Sequence, residues 1–135
     1  MSIDMASVLE IGNRMVGYCR KGEHETAIRE LYADDARHVE AMEMGGMPRV
    51  TEGKSALLDM LREWEAMHEC HDGDLKGPYP HGENRFAVWM SVDLTPHQGP
   101  MAGQRHVMEE VCLYTVENGR ITLAEFFWDP TGYGA

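Results

Sequence analysis

Apolar residues recur at helical spacing through the first part of the chain. Met5, Val8, Leu9, Gly12, Met15, Val16 and Cys19 fall on one stripe, and Glu10, Asn13, Arg14 and Arg20 take the other side. That spacing predicts an amphipathic first helix. Lys21-Gly22-Glu23 breaks it, with Gly22 where a left-handed C-cap residue belongs. A short second helix is expected from Glu25 to Tyr32, burying Ala27, Ile28 and Leu31. His38 to Met44 alternates as a strand, closed by Gly45-Gly46-Met47-Pro48. Thr51 is placed to cap a third helix from Gly53 to Met67, with Leu57, Leu58, Leu61 and Trp64 as its buried stripe.

The character then changes. Glu69 to Lys76, Arg85 to Thr95, Gln104 to Val116 and Arg120 to Trp128 are rich in β-branched and aromatic residues and are separated by Gly, Pro and Asn. Asn118-Gly119 is the favoured pair for a two-residue hairpin turn. Helices followed by an antiparallel sheet predict an α+β fold, here one domain over residues 1–135 with no internal repeat. In the strand that begins at Phe86, one face reads Phe86, Val88, Met90, Val92 and the other Ala87, Trp89, Ser91, Asp93. A strand apolar on both faces is covered on both. Helices cover one side, so a second copy of the chain is the expected cover for the other, making a homodimer.

Composition narrows the function classes. Lys plus Arg number 12 against 23 Asp plus Glu, a net charge of −11, which repels phosphate backbones and argues against nucleic acid as a partner. No apolar run approaches the roughly 20 residues of a membrane span. Met1-Ser2-Ile3-Asp4 lacks the features of a signal peptide, so a cytoplasmic location is expected. The three cysteines, Cys19, Cys70 and Cys112, have no CxxC spacing and read as small buried hydrophobes rather than disulfide or zinc partners. His68-Glu69-Cys70-His71 suggests a metal, but on a strand those side chains alternate between faces and do not converge. Gly53-Lys54-Ser55 lacks the earlier glycine of a phosphate loop, since Pro48 stands in its place. No metal and no cofactor are expected.

Three stretches carry a family likeness: Leu31 to Glu40 with its Tyr-Ala-Asp-Asp-Ala core, Glu52-Gly53-Lys54-Ser55-Ala56-Leu57, and Tyr114 to Ile121 followed by Phe126-Phe127-Trp128-Asp129. Their order and spacing resemble the nuclear-transport-factor-two-like superfamily, and the last stretch resembles the final hairpin of SnoaL-like polyketide cyclases. The resemblance implies three N-terminal helices wrapped on a cone-shaped, curved, mainly antiparallel sheet. In ketosteroid isomerases, the position of Glu40 holds the aspartate that moves the proton. Their oxyanion-hole tyrosine falls near Met15 or Val16 and their protonated aspartate near Cys112. In limonene epoxide hydrolases the position of Glu40 is an asparagine and that of His38 a tyrosine. Their Arg-x-Asp aligns with Ser91-Val92-Asp93, and their second aspartate falls at Phe126.

The resemblance therefore implies a cofactor-free acid/base enzyme of isomerase, cyclase or hydrolase type, acting on a small apolar molecule. Glu40 would transfer the proton, with Asp93 or His38 as partner. Met42, Trp89, Glu110, Cys112, Phe126 and Trp128 would line the pocket. A desolvated Glu40 suits acid/base work, because burial raises a carboxyl's pKa; a solvated strand glutamate is the bland alternative. Asp93 is either a pocket acid beside Trp89 or a strand-end residue entering the turn at Thr95-Pro96. His106 and Glu110 share a face, as a dyad or as structural neighbours. The competing function is a binding or dimerisation module of the same fold without turnover.

Overall fold

The computed structural model describes residues 5–44 and 46–131. The chain start Met1-Ser2-Ile3-Asp4 and Gly45 of the expected turn lie outside the described residues, as does the side chain of Met5. Helices α1 (Met5–Arg20) and α2 (His24–Leu31) lead directly into strand β1 (Tyr32–Val39). Then come β2 (Val50–Glu52), α3 (Lys54–Met67), β3 (His68–His81), β4 (Arg85–Pro96), β5 (His106–Glu117) and β6 (Arg120–Phe127). The six strands form one open sheet in the order β2-β1-β6-β5-β4-β3. Every pairing is antiparallel except β1 with β6.

Three elements depart from the sequence pattern. β1 begins at Tyr32, six residues before the expected strand, because Tyr32 turns extended as it leaves α2 while its N–H still bonds the Ile28 carbonyl. Thr51 is not the cap of α3: it pairs with His38 in β2, and Gly53, at φ 99°, occupies the cap position without a side-chain bond. β2, at three residues, is too short to show a period. Asn118 and Gly119 both take positive φ, as the expected hairpin turn requires.

The core lies between the helices and one face of the sheet. Val8, Met15 and Val16 of α1, Ala27 and Leu31 of α2 and Leu57 of α3 pack against Phe86, Val88, Cys112, Tyr114, Ile121 and Ala124. Leu61 and Trp64 of α3 are only half-buried, and Cys70 is exposed rather than buried. α1 approaches β3 so closely that a Cβ on Gly12 would lie 2.7 Å from the Pro78 Cβ and 3.2 Å from the Phe86 ring. Alanine gains about 1 kcal/mol over glycine inside a helix, but overpacking costs about 1–3 kcal/mol. Gly12→Ala is therefore expected to lower stability in urea melts; a more stable variant would show that this contact is looser than the backbone spacing implies.

Candidate functional site

Strand registers assign each side chain to a face. On the inner, helix-facing side Cys112 stands between Val88 and Phe126, and Tyr114 between Phe86 and Ala124. One step along the same rows, Glu110 stands opposite Met90, with Trp128 level with it just beyond β6. In the parallel pairing His38 lies beside Ala124, which brings Glu40 level with Phe126. Glu40 has just left β1, and its N–H bonds the Arg49 carbonyl at 2.8 Å, holding the chain in line.

Both carboxylate oxygens of Glu40 are engaged. His38 Nε2–H donates to Oε1 at 2.6 Å, and Trp128 Nε1–H donates to Oε2 at 2.8 Å. A carboxylate only accepts, which fixes the proton of His38 on Nε2. The His38 ring is buried and stacks on Phe126 with centroids 4.2 Å apart, so its angle is set by packing. The Glu40 side chain keeps 29% of its surface exposed.

The two inner carboxyls are driven apart. Burial works to raise Glu40, but the His38 bond and charge, with the Trp128 bond, outweigh it and hold Glu40 below the usual value. Glu110 is pushed up to about 8, by burial first and then by the negative charge of Glu40. Below them, burial raises the Cys112 thiol and the Tyr114 phenol. The inner positions of β1, β4, β5 and β6 carry no Lys or Arg. Such a pair can hold one proton beside one fixed charge.

The sequence assigned Asp93 and Trp89 to the same inward face as this site, and the structure corrects both. Val88 and Leu94 are buried against the core, with Met90 between them packed on it, so Trp89 and Asp93 point outward. Asp93 accepts from Arg105 Nε at 3.0 Å and Nη2 at 2.9 Å, which holds its carboxyl below the ordinary range. Trp89 carries the Lys76 ammonium 4.7 Å from a ring centroid. Side-chain period in a strand is two, so assigning the wrong face displaces every residue at once. Met42 lies in a bend beyond β1, half-buried and outside strand alternation. His106 is four residues from Glu110, about 13 Å along the strand, and its Nδ1 contacts the Gln104 carbonyl at 2.8 Å. His68 bonds the Trp64 carbonyl and stacks on its ring, and His71 bonds Thr95. Among the described residues, no three His, Cys, Asp or Glu side chains converge as a metal-ligand set. No helix there is long and apolar enough to cross a membrane.

The SnoaL-like domain family matches this chain over residues 6–128. The chain belongs to the SnoaL-like family. A SnoaL-like relative of known structure, from Mesorhizobium loti, is 37% identical, with a TM-score of 0.80 over 88% of this chain and 97% of its own. It is provisionally assigned as a SnoaL-like polyketide cyclase and also bears the name carbohydrate phosphatase. A provisionally assigned isomerase of Bacillus subtilis shares the SnoaL-like fold at 16% identity and a TM-score of 0.73, covering 95% of this chain and 90% of that one. TerC, crystallised with polyporic acid, shares it at 16% identity and a TM-score of 0.72, covering 94% and 95%. No curated protein matches the sequence.

Within this SnoaL-like fold, the part of the site least visible in the sequence is the influence of the Glu40 charge on Glu110. Seventy residues separate them, and strand order alone brings them together. The alternation of Glu110 with Cys112 and Tyr114 gives its face. Its partner follows only once β6 is inserted between β1 and β5.

Proposed function

We propose that this SnoaL-like protein is an acid/base enzyme of isomerase, cyclase or hydrolase type. It acts without a cofactor on a small apolar molecule held against the inner face of the sheet. The observation that supports this most is the separation of the two inner carboxyls: Glu40 is held below the usual value, and Glu110 is lifted to about 8, near the pH at which proton transfer is most effective. The Met90, Cys112 and Phe126 side chains supply the apolar surroundings. The second name of the Mesorhizobium loti relative fits this chain poorly, because the inner positions of β1, β4, β5 and β6 have no Lys or Arg to hold a phosphate.

The experiment is exchange of the α-protons of an apolar ketone, 2-tetralone, followed by NMR in deuterated buffer. Glu40→Gln and Glu110→Gln are each expected to slow exchange by about 100-fold or more while leaving the circular dichroism unchanged. Wild-type exchange no faster than buffer, or variants as fast as wild type, would favour a non-catalytic binding module instead.

The outer face supports a second part of the proposal, a homodimer. Tyr79, Val107, Val111 and Phe127 are exposed there, and an open apolar cleft of about 320 Å³ runs between Tyr79, Ala87, Val111, Leu113 and Phe127. Continuous apolar surface of this kind marks an interaction site, and a second copy of the same face is its natural complement. Sedimentation should show a dimer that the double variant Val111→Asp with Phe127→Asp converts to a folded monomer. A monomeric wild-type protein at micromolar concentration ends the dimer proposal.

A further inference from the structure

We propose that Glu110 is the catalytic acid of this site, and that Glu40 is its ionised partner, whose fixed charge stabilises a cationic intermediate. The inference rests on the acid/base reading above and departs from the isomerase resemblance, in which the position of Glu40 moves the proton.

The geometry points this way for three reasons. First, Glu40 is already committed. Each of its oxygens accepts one directed bond, from His38 and from Trp128, and His38 is itself clamped by the Phe126 ring. A carboxylate solvated by two fixed donors is a stable charge and a weak base. Second, Glu110 stands on the same inner face within reach of the Glu40 charge, opposite the apolar Met90. The charge acting on it is that of Glu40, from the end of β1; its own strand neighbours Cys112 and Tyr114 are buried, which raises their pKa values and keeps their protons. Facing it from β4 is Met90, and level with it beyond β6 is the neutral Trp128. Third, the inner strand positions offer no Lys or Arg to a developing oxyanion, but they do offer Glu40 to a developing cation.

The step balances without another reactant. The O–H bond of Glu110 breaks as its proton moves to an acceptor atom of the substrate, a carbonyl oxygen or alkene carbon. The positive charge created on the substrate lies beside ionised Glu40. Glu110, left as a carboxylate next to a like charge, then takes a proton from an adjacent substrate carbon, and the C–H electron pair becomes the new double bond. The net reaction is an isomerisation or enolisation. The substrate class is accordingly a neutral, apolar molecule that can carry positive charge, and an organic ammonium ion mimics its intermediate.

The test needs no natural substrate. Protein labelled at the glutamate carboxyl carbon is titrated by NMR as wild type, Glu40→Gln and Glu110→Gln. Each is also offered benzylammonium and, as its neutral counterpart, benzyl alcohol. Glu110 is expected to titrate near 8 in the wild type and lower in Glu40→Gln, with Glu40 ionised throughout the neutral range. Benzylammonium should bind at least about tenfold more tightly than benzyl alcohol, and Glu40→Gln should erase that preference. The proposal is overturned if Glu40 is the carboxyl that titrates near neutrality, if Glu110 ignores Glu40→Gln, or if the two probes bind alike. Tetralone exchange separates this failure from failure of the acid/base reading. Exchange lost in Glu40→Gln but kept in Glu110→Gln leaves that reading standing and sinks the role assigned to Glu110. Exchange absent from the wild type removes the reading and the role together.

Discussion

Phe86→Ala is expected to cost about 3–5 kcal/mol of stability, enough to remove much of the marginal stability of a domain this size. The ring is completely buried on the inner face of β4 and stacks on Tyr114 with centroids 5.0 Å apart. It also lies under a close approach of α1 to the sheet, since Gly12 leaves no side chain between the helix and the ring. Removing it opens a cavity that rigid Pro78 and the Gly12 backbone are poorly placed to fill. Collapse would require α1 to shift, which disturbs Val8, Met15 and Val16 as well. Urea melts measure the effect; a loss below about 1 kcal/mol would mean that the helix repacks freely, against the close approach at Gly12.

The same residues show what the sequence made legible. Val8, Met15, Val16, Leu57 and Leu58 are buried where the period-3.6 pattern placed them, because burial of an amphipathic helix is decided locally. The helices, the last three strands and the Asn118-Gly119 turn follow from that local signal. β1 was displaced because its Asp34-Asp35 segment is exposed and carries no alternation, and a parallel neighbour rather than its own pattern holds it in the sheet. The site was legible by halves. His38, Glu40, Cys112, Phe126 and Trp128 do gather on the inner face, while Asp93 and Trp89 face away. A strand apolar on both faces offers no local signal for which face is inward; only the packing of Phe86 and Val88 under α1 decides it. That same ambiguity is what pointed to a covered outer face.

Stability is expected to fall as pH rises from about 5 to about 8, and Glu110→Gln should abolish most of that fall. An ordinary glutamate in the unfolded chain ionises near 4.5, whereas Glu110 in the fold keeps its proton to about 8. Between those values the folded state binds more protons than the unfolded state, so raising the pH favours unfolding. Each pH unit across the window is worth about 1.4 kcal/mol, for a total of up to roughly 5 kcal/mol, and above 8 the curve levels because both states are ionised. Glu40 acts in the opposite sense. Its folded value lies below the ordinary one, so its contribution is present above about 4.5 and is lost as the pH falls through the depressed value. For these two groups alone, the combined contribution is greatest near pH 5. Urea melts of wild type and Glu110→Gln at pH 5, 7 and 9 measure the slope directly. The variant should match the wild type at pH 5 to within the cost of losing one buried hydroxyl, and exceed it by several kcal/mol at pH 9. Parallel curves would mean that Glu110 ionises as freely in the fold as in the unfolded chain. Its pairing with Glu40, and the acid it is proposed to supply, would then both be lost.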